Sequence, residues 1–125
     1  MSWTTARLAS AGDTARAGVT HIAWSTNGTS EAHTIMPRTA ITLGAATVAN
    51  PSIVANSAAA TTAAALGPGT LTHWAWATSG TGGAADLVTT WNLTTPGSLT
   101  VATGQTVNIA IGQMSERMHQ TATAP

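Results

Sequence analysis

The run Thr20-His21-Ile22-Ala23-Trp24-Ser25-Thr26-Asn27-Gly28-Thr29 returns 52 residues later as Thr72-His73-Trp74-Ala75-Trp76-Ala77-Thr78-Ser79-Gly80-Thr81, identical at seven of ten positions. A β-prone run closed by a glycine turn and used twice predicts two similar hairpins brought together in one sheet sandwich. Two copies are too few for a solenoid, whose units stabilise one another only by stacking. Strand side chains alternate between faces, so Ile22 and Trp24 take the places of Trp74 and Trp76, and these four are the expected heart of the core.

The 125 residues suit one domain. Its core material is thin: nearly half of the 43% hydrophobic share is alanine, Phe and Tyr are absent, and five Trp join scattered Leu, Ile, Val and Met. Burial stabilises by about 25 cal/mol per Å² of apolar surface, and alanine removes little. Such a chain is expected to draw stability from contacts with other subunits.

Charged residues are 6% of the chain, with Arg7, Arg16, Arg38 and Arg117 facing Asp13, Glu31, Asp86 and Glu116, and no lysine. Disorder driven by charge repulsion is excluded. No basic stripe is present to neutralise phosphates, so nucleic acid is not an expected partner. A neutral surface is poorly protected against association, and much of it is expected to be covered. The absence of cysteine removes disulfides, thiolate nucleophiles and zinc–thiolate sites. The first residues show no signal-peptide pattern and no run approaches the ~20 apolar residues of a membrane span, so synthesis in a cytoplasm is expected and a membrane partner is not. Asn27-Gly28-Thr29 and Asn92-Leu93-Thr94 match glycosylation sequons but read more simply as turn and strand.

Residues 1–17 lack a clear period and read as an N-terminal arm. Residues 18–112 read as a β-sandwich domain and residues 113–125 as a polar C-terminal tail. Within the domain, Asn27-Gly28 signals a hairpin from a strand over 19–25 to a return strand over about 31–36. Alternation marks Arg38–Leu43, and Ile53-Val54-Ala55 is a short strand. Helix propensity favours a helix at Ser57–Ala65, but no large apolar stripe supports one, so the segment reads as extended. Thr70–Thr78 is a strand, as is Asp86–Leu93 with Leu87, Thr89, Trp91 and Leu93 sharing a face. Leu99 and Val101 mark another, and Val107, Ile109 and Ile111 the last. Ile22, Trp24, Trp74, Trp76 and Trp91 are the predicted core. About eight strands with frequent turns give an all-β fold, a single β-sandwich of jelly-roll or Greek-key type.

His21 and His73 are related by the repeat, and with His33 they are candidates for a shared metal site. No clustered spacing supplies the three or four ligands zinc requires, so both read as polar groups opposite the Trp face and no metal is expected. Four unpaired carboxylates, no Cys, Lys or Tyr, and no Gly-x-Ser-x-Gly elbow argue against an enzyme. The glycines at 80–83 lack the lysine and helix of a phosphate loop, and no cofactor is expected. Tryptophan also stacks on sugars, which makes a carbohydrate-binding β-sandwich module a competing reading.

Four segments carry a resemblance: Arg38-Thr39-Ala40-Ile41-Thr42, Gly69-Thr70-Leu71-Thr72-His73 through Trp76, Thr81-Gly82-Gly83, and Leu99-Thr100-Val101-Ala102-Thr103-Gly104-Gln105-Thr106-Val107. Over residues 19–112 the chain resembles a family of small all-β virion proteins of long-tailed bacteriophages. The resemblance implies a capsid decoration protein, homotrimeric, that sits on the outer surface of the virion capsid and bridges major capsid subunits. A minor tail or tail-fibre component is the alternative. The shell- or subunit-contacting residues expected on this reading are Trp3, Arg7 and Arg16 in the arm, with Arg117 and His119 in the tail. Deleting residues 1–17 is then expected to abolish particle binding and leave the fold intact.

Overall fold

The computed structural model describes residues 3–94 and 97–118. Among the described residues the elements are mostly short strands with one α-helix, and every strand pair is antiparallel. The principal sheet has four strands in the order β2 (Thr39–Ala40), β1 (His21–Ser25), β6 (His73–Ala77) and β7 (Asn92–Leu93). Three two-stranded ladders complete the fold. They join β3 (Ser52–Ala55) to β10 (Ser115–Met118), β4 (Ala60–Thr61) to β9 (Asn108–Ile109), and β5 (Gly69–Leu71) to β8 (Leu99–Val101).

Each repeat copy pairs antiparallel with the next strand of the chain, β1 with β2 and β6 with β7, although the return to β1 comes at 39–40 and not over about 31–36. The two copies also pair with each other. In the β1–β6 ladder Ile22 faces Trp76, Ala23 faces Ala75, and Trp24 faces Trp74, so the copies are related by a local two-fold axis at Ala23/Ala75. The symmetry reaches beyond the repeat. Thr20 N–H donates to the Ala77 carbonyl at 3.0 Å and Thr72 N–H to that of Ser25 at 2.9 Å, while the Thr20 and Thr72 carbonyls accept from Ile41 and Thr94, each at 3.0 Å. On the outer strands, Ile22 pairs with Thr39 as Trp74 does with Asn92. Arg38 and Trp91, each one residue before its outer strand, are therefore counterparts.

Directly opposed residues of an antiparallel pair share a face. Ile22, Trp24, Trp74 and Trp76 thus form one buried layer, and the Trp74 and Trp76 rings lie 6.5 Å apart at 42°. Met36, Val54, Leu71, Ile109 and Met114 pack into the same core. Trp24 Nε1–H donates to Thr39 Oγ1 at 3.0 Å, whereas the buried Trp76 Nε1 has no partner among the described residues.

The opposite face of this sheet is closed by the repeat's own turns. The His21 ring lies on Gly80, where a Cβ would stand 2.8 Å from Nε2, and the His73 ring lies on Gly28, where the distance would be 2.9 Å. Thr20 and Thr72 each share a hydrogen bond with the neighbouring histidine Nδ1, at 2.7 and 2.8 Å. Each histidine thus clasps the glycine of the other copy. His21 and His73 stand at opposite ends of the ladder, paired with Ala77 and Ser25. Four residues of strand separate them, about 13 Å at ~3.3 Å per residue, too far to share an ion. No group of three metal-ligating side chains occurs among the described residues.

Within the expected N-terminal arm, helix α1 spans Thr5–Arg16. Thr4 caps it by accepting from Arg7 N–H at 3.2 Å, and Arg16 sits in the last turn, where positive charge is favourable. The helix buries Leu8, Ala9 and Gly12, and packs against β3 and β10. A Cβ on Gly12 would stand 2.9 Å from Ala46 Cβ and 3.1 Å from Val54 Cγ2, so the close approach requires glycine. Asp13 Oδ1 accepts from Ala46 N–H at 2.9 Å and Arg16 Nε–H at 2.8 Å, and these bonds hold its carboxyl below the ordinary range.

The expected polar tail also begins inside the fold. Arg117 of β10 pairs with Ile53, and the Glu116 carboxylate accepts from Asn92 Nδ2 of β7. Burial pushes the Glu116 carboxyl up, and the Asn92 hydrogen bond opposes the shift. The segment Ser57–Ala65 is not helical: it bends at Ser57–Ala58 and contributes the two residues of β4. Its neighbours depart from the simple strand pattern: β2 is only two residues long, Thr72 separates β5 from β6, and Ile111 is exposed.

Candidate functional site: a cleft between the repeat loops

After β1 the chain makes no tight hairpin at Asn27-Gly28, and its antiparallel return comes later, at β2. Ser25 Oγ accepts from Asn27 and Gly28 N–H at 3.2 and 2.9 Å, and Asn27 Oδ1 accepts from Thr29 and Ser30 N–H at 2.9 and 3.1 Å. This side-chain-bonded turn replaces the strand-to-strand turn that Asn-Gly signals. Ala32 N–H returns to the Trp24 carbonyl at 2.8 Å, and residues 33–35 form a turn where a return strand was expected.

Arg38 organises this loop and its counterpart. Its side chain is 2% exposed, and its Nε and Nη2 donate to the Glu31 carboxylate at 2.8–3.3 Å. Nη1 donates to the Ser79 carbonyl at 3.0 Å and Nη2 to that of Gly83 at 3.1 Å, with Gly82 at 3.4 Å and Asp86 at 3.9 Å. The Glu31 hydrogen bonds raise the already high Arg38 pKa, against the opposing effect of burial. One guanidinium thus ties the loop after β1 to the loop after β6. Gly82, with φ of +145° and the Asp86 carboxylate against its α-carbon, adopts backbone that side chains rarely allow.

Trp91, predicted in the core, is only partly buried. The segment after β6 returns alongside it through a short 3-10 turn at Ala84–Asp86 and meets it in two places, Leu87 opposite Ala77 and Asn92 opposite Trp74. Five residue steps therefore face three, an insertion of bulge type. Val88 N–H still bonds the Trp76 carbonyl at 2.8 Å, and Thr89 Oγ1 takes the Trp76 N–H at 3.0 Å. The even alternation expected for Leu87, Thr89, Trp91 and Leu93 is broken. Leu93 is 72% exposed, and Trp91 is turned out beside Leu87 into a cleft.

That open cleft has a volume of about 440 Å³. Thr29, Ser30, Glu31 and His33 form one wall, and Gly82, Gly83, Leu87 and Trp91 the other. A second cleft of about 270 Å³ adjoins it, sharing Glu31, His33 and Gly82 and reaching Pro37 and the exposed Leu66. The Glu31 carboxylate here is held by Arg38, whose guanidinium also faces Asp86.

The residues expected to contact a shell or subunit lie elsewhere. Trp3 is 56% exposed and Arg7 is exposed, while Arg16 is paired with Asp13. Arg117 is exposed on β10, which lies against α1, so it and the N-terminal residues share one region. His119 lies outside the described residues. The cleft went unread in the sequence because Arg38 and Glu31 resemble any surface pair, although a charge pair this isolated in so neutral a chain was an available signal. Comparison of the chain with protein-family models, with curated proteins and with solved structures finds no match in any of the three.

Proposed function

We propose that this chain is a structural virion protein of a long-tailed bacteriophage, a capsid decoration protein of β-sandwich type that binds the outer shell as a homotrimer and stabilises the head by bridging major capsid subunits. The observation that carries the reading is the surface. Trp3, Val48, Leu66, Leu93 and Ile111 are 56–72% exposed on a chain with only eight charged side chains. Scattered apolar residues on a soluble protein are ordinary, but here few charges surround them to oppose association. Adhesion fits such a surface, and binding of many copies shifts a shell toward its intact form by mass action. The resemblance of residues 19–112 to small phage virion proteins supports the same role.

Because α1 is packed on β3, shell contact on this reading comes from a folded surface and not from a loose arm. Deletion of residues 1–17 would uncover Ala46 and Val54 and is replaced as a test by Trp3→Ser and Arg7→Ala. The deciding experiment is mass-spectrometric counting of the protein in purified virions with immunogold localisation. High copy number over the head supports decoration. A few copies at the tail indicate a tail component, and absence from the particle removes the proposal.

A further inference from the structure

We infer that the cleft beside Trp91 binds a neutral glycan. The inference goes beyond the virion reading and does not depend on it. Its first ground is Trp91 itself, which the bulge between Leu87 and Asn92 places out of the core and on the cleft wall. An indole presented this way offers an apolar face for the C–H face of a sugar ring.

The second ground is the polar wall. The Glu31 side chain is 14% exposed and is held by Arg38, so an acceptor for sugar hydroxyls is fixed before any ligand arrives. The hydroxyls of Thr29 and Ser30, positioned by hydrogen bonds to the Asn27 side chain, belong to the same wall. The geometry disfavours other ligand classes. An anion finds no spare guanidinium, since Arg38 already serves Glu31 and the Ser79 and Gly83 carbonyls. An organic cation is held best by several aromatic rings, whereas this cleft has one ring and its carboxylate is hydrogen-bonded to Arg38.

Size gives the third ground. About 440 Å³ lies in the lower part of the ~300–1,000 Å³ range of small-molecule sites. The adjoining cleft shares Glu31 and His33, which provides room for a second ring and favours a chain over a free monosaccharide.

The test is chemical-shift mapping on the full chain with the methyl glycosides of glucose, galactose and mannose, with N-acetylglucosamine, and with lactose, cellobiose and chitobiose. Saturable shifts at the Trp91 indole and the Thr29 and Ser30 amides, with a dissociation constant on the order of 1 mM, are expected for at least one sugar. Tighter binding of a disaccharide than of its monosaccharide assigns a glycan chain, and equal binding assigns a single ring. Trp91→Ala should weaken binding at least about tenfold, with Trp91→Phe restoring part of it. Mapping on the unaltered protein stands if Trp91→Ala fails to fold. No saturable shift for any sugar, shifts away from the cleft, or unchanged affinity in folded Trp91→Ala overturns the inference.

Discussion

Arg38 and Glu31 form the most buried ion pair among the described residues, with 2% and 14% of their side chains exposed. Removing one member of such a pair leaves the other charge in a site that cannot solvate it. Arg38→Ala is therefore expected to destabilise by about 3–5 kcal/mol, read as a lower urea midpoint. The double variant Glu31→Leu with Arg38→Met should recover part of that loss, because no orphan charge remains. Glu116 makes the opposite kind of prediction. Its carboxyl is pushed up by burial, so the folded chain holds this proton more tightly than the unfolded one. Stability from this group falls as pH rises from the ordinary carboxylate range through the raised value. Glu116→Gln keeps an acceptor for Asn92 and cannot ionise. It should raise stability at pH 7 and remove that part of the pH dependence, as measured by thermal unfolding across the acidic range.

At the scale of elements, α1 shows how a small residue can reverse a propensity rule. Glycine inside a helix ordinarily costs roughly 0.5–1 kcal/mol relative to alanine. At position 12 the added methyl would meet Ala46, whose N–H is tied to Asp13, and Val54. Gly12→Ala is expected to destabilise by about 1–3 kcal/mol through overpacking, while Ser10→Ala on the exposed side of the same helix should be neutral or stabilising. Urea titration of the two variants checks the contrast in sign. The helix escaped a periodicity reading because its buried stripe is only Leu8, Ala9 and Gly12, although Thr4 was a legible cap. Strands β1, β3, β6 and β8 were legible from alternating or β-branched runs bounded by turn residues. Strand β10 was not, since Ser115-Glu116-Arg117-Met118 has no apolar alternation and is fixed by distant β3. The cleft was hidden for a related reason: the displacement of Trp91 depends on how 87–92 registers against β6, which no local pattern encodes.

Across the whole molecule, the repeat was the plainest feature of the sequence, and it supplies the two central strands of the principal sheet, each flanked by the next strand of the chain. Asn27-Gly28 signalled a tight local return, whereas β1 pairs with β2 over two residues and along its whole length with β6, its own copy 52 residues on. The two-fold axis at Ala23/Ala75 joins the copies, and the clasp of each histidine on the other copy's glycine repeats it on the second face. Symmetry stops at the outer positions, where one half carries buried Arg38 and the other half-open Trp91. The cleft occupies the place where the halves diverge. This central seam also makes the chain divisible. A break between Gly67 and Pro68 leaves one copy of the repeat on each fragment, so the surfaces that must meet are matched halves of one motif. Fragments 1–67 and 68–125, mixed after separate expression, are expected to reassemble into the parent's near-ultraviolet dichroism, and scrambling 72–81 in the second piece should abolish that recovery.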